Sequence, residues 1–172
     1  MRNIVLLFAA FVPLAAFAQD TARPTVPDAI KAPPDQNVIL VAHATGSQIY
    51  TCAASADGKF AWTLKAPDAE LKDAKGKTIG KHFAGPTWKL DDGSEVKAKA
   101  AGKVDAPEAS AVPWLLLNAT SNSGKGALAR AATIQRIHTK GGQPSASGCD
   151  SEHKDAESRS SYTADYYFFA PK

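Results

Sequence analysis

Past its N-terminal stretch the chain has no long apolar run, no block of like charge and few cysteines. No later segment comes near eighteen consecutive apolar residues, so no transmembrane-helix pattern follows the start and no stable membrane insertion is expected. No run of five or more like charges occurs, and the formal net charge over 172 residues is only +3. The lysines are scattered, and aromatics are not interleaved with them as a single-strand groove requires. No nucleic-acid partner is expected.

Motifs that carry chemistry are also missing. The histidines His43, His82, His138 and His153 form neither H-x-H nor H-E-x-x-H, and the cysteines form no C-x-x-C. A metal site would need convergence in space, and none is expected. There is no G-x-S-x-G elbow, and Ser145, Ser147 and Ser151 sit in a loop without strand-to-helix context. No G-x-G-x-x-G follows a strand pattern, so no dinucleotide or other cofactor is expected.

Met1 to Ala18 reads as a secretory signal peptide. Arg2 is the positive n-region, Ile4 to Ala15 the apolar h-region, and Ala16-Phe17-Ala18 the cleavage site. The mature protein then starts at Gln19 and is secreted or periplasmic. Cys52 and Cys149 both lie in this mature part, and in an oxidising compartment they are expected to form one disulfide. The closed loop of about a hundred residues is worth up to about 4–5 kcal/mol by chain entropy.

Residues 19–36 hold Pro24, Pro27, Pro33 and Pro34 and read as an extended arm over the surface. Residues 37–170 read as a single β domain. Val38 to Ala44 and Gln48 to Ala54 are two expected strands, separated by a turn at Gly46-Ser47. Asp57-Gly58 marks a hairpin, after which Phe60, Trp62 and Leu64 alternate until Pro67 breaks the strand. Further strands are expected at Thr78 to Ala84, Thr87 to Leu90 and Glu95 to Val104, the last as a lysine-protected edge. Val112 to Leu117 is the most apolar run and reads as an interior strand starting at about Trp114, because Pro113 has no N–H. A polar loop at Ser121 to Gly126, one helical turn at Ala127 to Ala131, and strands at Ala132 to Thr139 and Tyr162 to Phe169 complete the chain. The fold class is all-β, an antiparallel sandwich or barrel of about 8–10 short strands with at most one short helix and one disulfide.

Four ordered segments carry a family resemblance: Ile79 to Trp88, Val112 to Leu117, Ile134 to Gly142 and Tyr162 to Phe168. From about Pro27 to Phe168 the chain resembles the secreted family catalogued as domain of unknown function 3455. Phe83 stands where that family often has Tyr. The resemblance implies secretion and one domain, and it brings no catalytic residues with it. Some fungal relatives carry a malate dehydrogenase label, which the missing dinucleotide fingerprint does not support.

The aromatics point to a binding module for a small molecule or a cell-envelope component. Trp62, Trp88, Trp114 and Tyr166 are candidates to line a pocket, with His82 and Arg136 as polar anchors. The stretch His82 to Trp88 gathers His, Gly, Pro and Trp where the strand must break. The alternative is an extracytoplasmic hydrolase using His82 or His138 with Asp165. Asp165 is the one acidic residue set among apolar neighbours in a strand, and Arg136 is its expected charge partner.

Overall fold

The computed structural model describes residues 22–172. The expected leader and its cleavage site fall outside the described residues. Eight antiparallel strands close into a barrel in sequence order. They are β1 (Gln36–Ala54), β2 (Phe60–Lys72), β3 (Thr78–Phe83), β4 (Thr87–Leu90), β5 (Glu95–Val104), β6 (Trp114–Ser123), β7 (Thr133–Gly141) and β8 (Glu157–Pro171). Single 3₁₀ turns at Asp28–Ile30 and Ala127–Arg130 are the helical elements among the described residues. Cys52 and Cys149 are bonded, with their Cα atoms 5.3 Å apart.

Two expected strands are one. β1 passes straight through Gly46, where the sequence suggested a turn. A Cβ at Gly46 would lie 2.2 Å from the Asp68 carbonyl oxygen and 2.5 Å from the Ala69 Cα. The glycine lets two backbones approach closely rather than reverse the chain. Nor does Pro67 end β2. It pairs with Gln48 of β1, while the β3 partners begin only at Ala69, so its missing N–H costs no ladder bond. β5 is not an edge, because closure pairs it with both β4 and β6. The expected loops at Ser121 and before Tyr162 are shorter, since β6 runs to Ser123 and β8 begins at Glu157.

β6 is apolar on both faces for two separate reasons. Leu115 and Leu117 face the barrel interior. Trp114 and Leu116 face outward, under the N-terminal arm, where Val26, Ile30 and Ile137 form a second small core. The arm is tied down by polar bonds as well. Gln135 Nε2 donates to the Ile30 carbonyl at 2.6 Å, and the Arg23 guanidinium bonds the carbonyls of Gln36 and Ala32 while lying over the Phe169 ring.

The interior is filled at one end. Leu71, Leu90, Val96, Leu117, Ile134 and Phe168 pack there, and the 3₁₀ turn plugs that end with Leu128. Asp92 holds the plug by accepting from the Ala127 N–H, and Ser94 Oγ accepts from the Leu128 N–H. At the opposite end the packing is incomplete.

Candidate functional site

Strand alternation sends Gly80 and His82 of β3, Trp88 and Leu90 of β4, and Tyr166 and Phe168 of β8 to the interior. His82 and Trp88 are directly opposite across β3 and β4. Their rings stack with centroids 4.3 Å apart and planes 8° from parallel. Tyr166 meets both edge-on, at 5.1 Å from His82 and 5.3 Å from Trp88. Such offset and edge contacts suit the ring quadrupoles.

His82 Nδ1 lies 2.9 Å from the Thr87 carbonyl oxygen. A carbonyl only accepts, so the proton is assigned to Nδ1, and Nε2 carries a lone pair. Burial lowers the His82 pKa to about 3; the Thr87 carbonyl opposes this and the Arg136 charge adds to it. The ring is therefore neutral at physiological pH and too weakly basic to serve as a general base there.

Beside this cluster lies a cavity of about 290 Å³. Its floor holds the buried side chains of Gln48, His82, Trp88, Leu117 and Tyr166. Its rim is exposed and includes Leu64, Lys65 and Gly85, where β2 faces the turn between β3 and β4. Leu64 is 52 % exposed, one of two large apolar side chains so open to solvent among the described residues. Arg136 projects into the wall, and its Nε and Nη2 donate to the Pro113 carbonyl at 3.1 and 2.8 Å.

Four of the expected site residues, His82, Trp88, Arg136 and Tyr166, converge on this cavity. Trp62 does not. It lies toward the hairpin end of β2, and its indole N–H donates to the Ser147 carbonyl at 3.0 Å. Trp114 faces the outer wall, edge-on to His138 with centroids 5.4 Å apart. Strand parity explains the split, since Trp114 and Leu115 are neighbours and must point to opposite faces.

The expected Arg136–Asp165 pair is not formed, again by parity. Arg136 is registered opposite Tyr166, which points inward, and Asp165 points outward. Asp165 instead accepts from His43 Nδ1 at 2.6 Å and His138 Nδ1 at 2.8 Å. His138 sits in a bulge of β7 with φ of 51°, the left-handed region. His82 is thus separated from Asp165 by the barrel wall, while His138 is beside it. His153 pairs with Asp150 in an exposed loop. Among the described residues no group of three or more His, Cys, Asp or Glu side chains is arranged to hold a metal ion.

Sequence reasoning missed Gln48, Leu64 and Leu115 as cavity residues. Alternation back from Tyr50 places Gln48 on the inner face once Gly46 is read as strand.

Comparison with protein families matches residues 33–170 to the family described as "Protein of unknown function (DUF3455)". No curated protein and no solved structure matches the chain. The family match runs from the end of the arm through nearly all of β8 and so takes in every wall of the cavity; the chain belongs to the DUF3455 family.

Proposed function

We propose that the protein binds one small, largely apolar molecule inside the open end of its barrel, without transforming it. The carrying observation is the cavity of about 290 Å³ that reaches from an exposed rim to the buried His82, Trp88 and Tyr166 rings. An eight-stranded barrel has an interior just wide enough to be filled by side chains or to hold one small ligand. Here the plug leaves only a more open recess of about 280 Å³ beside Leu40, Ile79 and Leu90, and the other end keeps the cavity over His82, Trp88 and Tyr166. Residues from all eight strands form the walls, so the site is largely preformed. A binding role also accords with a neutral, weakly basic His82. Among the described residues no Ser, Thr or Cys side chain hydrogen-bonds a histidine.

The test is a titration with octanoate, octan-1-ol and octanamide, followed by tryptophan emission and thermal shift. At least one compound should bind saturably at one site. That binding should disappear in Ala66→Trp, which fills the rim, and survive Lys99→Ala on the outer wall. If none of the three compounds binds, the reading fails.

The hydrolase reading keeps one supporting contact, the His138–Asp165 hydrogen bond. It predicts ester cleavage that His138→Ala abolishes. The working compartment belongs to the same proposal. A disulfide between Cys52 and Cys149 suits an oxidising space outside the cytoplasm, as the leader sequence does. N-terminal sequencing of protein recovered from that space should read from Gln19.

A further inference from the structure

The cavity is unusual in the sign of its polar groups. Its charged lining residues are Lys65 and Arg136, and no Asp or Glu lines it. Lys65 already pairs with Glu157 at the rim. Arg136 has no carboxylate within ion-pair distance among the described residues. A guanidinium has five N–H groups. Two of Arg136's are spent on the Pro113 carbonyl, and the guanidinium also reaches the Tyr166 hydroxyl. A partly buried cation that faces only neutral partners is costly, and the cost falls when an anion joins it.

The unpaired buried atoms point the same way. Tyr166, Trp88 and Gln48 line this cavity and are at most 1 % exposed, and the Trp88 Nε1 and the Gln48 Nε2 have no hydrogen-bond partner among the described residues. Both can only donate a proton. Buried polar groups in folded proteins are nearly always satisfied, so two unmatched donors on residues that line one void favour a ligand that accepts hydrogen bonds. Tyr166 is directly opposite Arg136 across β7 and β8, and the Arg136 charge acts on its hydroxyl. The two therefore form one locus for an oxyanion, with the apolar wall of Leu115 and Leu117 beside it.

We propose that the ligand is an amphipathic monoanion whose carboxylate, or a comparable oxyanion, is held by Arg136 and the Tyr166 hydroxyl, with its apolar body against Trp88, Leu115 and Leu117. This rests on the binding reading above and adds the charge of the ligand to it. Arginine suits the role because its planar fork matches a carboxylate in two-point contact.

The experiment compares octanoate with octanamide by calorimetry on the full mature chain. Octanoate should bind about tenfold or more tightly, the usual effect of hydrogen bonds to a charged group. Arg136→Met should remove that preference, with octanoate losing far more affinity than octanamide. Tyr166→Phe, which keeps the ring, should weaken octanoate by several-fold and octanamide by less. Equal affinities in the unmodified protein would overturn the anion assignment and leave the pocket standing. A preference that survives in Arg136→Met would also overturn it. If that variant does not fold, Arg136→Lys serves instead, and it should keep a reduced preference for the acid. Failure of both compounds and of octan-1-ol to bind would remove the binding reading itself.

Discussion

His82 is an ionisable residue almost wholly removed from water. It is 2 % exposed, stacked on Trp88, and held by one backbone carbonyl. The groups facing it are Tyr166 and the Arg136 cation, with no carboxylate among the causes of its shift. Its folded pKa of about 3 is far below the ordinary 6.5. The folded state thus favours the neutral ring, and that stabilisation is complete above pH 6.5. It is lost as pH falls from 6.5 toward 3, at about 1.4 kcal/mol per unit. Urea unfolding of the native protein and of His82→Gln between pH 7 and pH 4 measures this. The difference in stability between the two should shrink steadily as the medium becomes acidic. A constant difference would mean that His82 is not buried as a neutral ring. The choice of His82 with Trp88 was legible in the sequence because both flank a Gly-Pro break. The partner of Arg136 was not, because pairing by charge ignores which face of a strand each side chain takes.

At the scale of elements, small residues decide where backbones meet. Gly46 lies where β1 crosses β2, and any Cβ there collides with backbone at Asp68 and Ala69. Backbone cannot step aside as a flexible side chain does. Gly46→Ala should therefore cost about 2 kcal/mol or more by forced separation of the strands. The midpoint of a denaturant titration reads it, and an unchanged midpoint would return Gly46 to the role of a turn. Gly102 does the same for the arm, since its Cβ would lie 2.2 Å from the Ala29 carbonyl oxygen. Gly102→Ala should loosen the arm and hasten tryptic cleavage at Lys31, with the barrel intact; an unchanged cleavage rate would contradict this. Most strands could be read from alternation, and β4 and β5 fall on their expected bounds. What alternation could not convey was continuity. Gly46 and Pro67 look like stops in one dimension, yet each is admitted by its neighbours: Gly46 by the close approach of β2, Pro67 by the absence of a second partner strand. The same gap beside Pro67 leaves the cavity its rim, so the reading that broke β2 also hid that side of the cavity.

At the scale of the whole molecule, the barrel depends on joining its two ends. β1 and β8 pair from Gln36 opposite Pro171 to Thr51 opposite Glu157, so residues more than a hundred positions apart must meet along the full seam. Closing so long a loop carries a large entropy cost. The disulfide acts on that cost directly. Cys52 lies near the end of β1, and Cys149 lies in the loop that leads into β8. Backbone bonds from Cys52 N–H to the Ala156 carbonyl and from Asp155 N–H to the Cys52 carbonyl continue the seam beside it. Neither cysteine lines the cavity. The double variant Cys52→Ala with Cys149→Ala should therefore keep the native near-ultraviolet circular dichroism and the octanoate affinity. Its stability should fall by several kcal/mol, up to the roughly 4–5 kcal/mol that chain entropy allows for a loop of 97 residues. Equilibrium urea unfolding with and without the bond measures the loss. A loss below about 1 kcal/mol would mean that the unfolded chain already holds the two ends together, so that the seam rather than the sulfurs sets the closure.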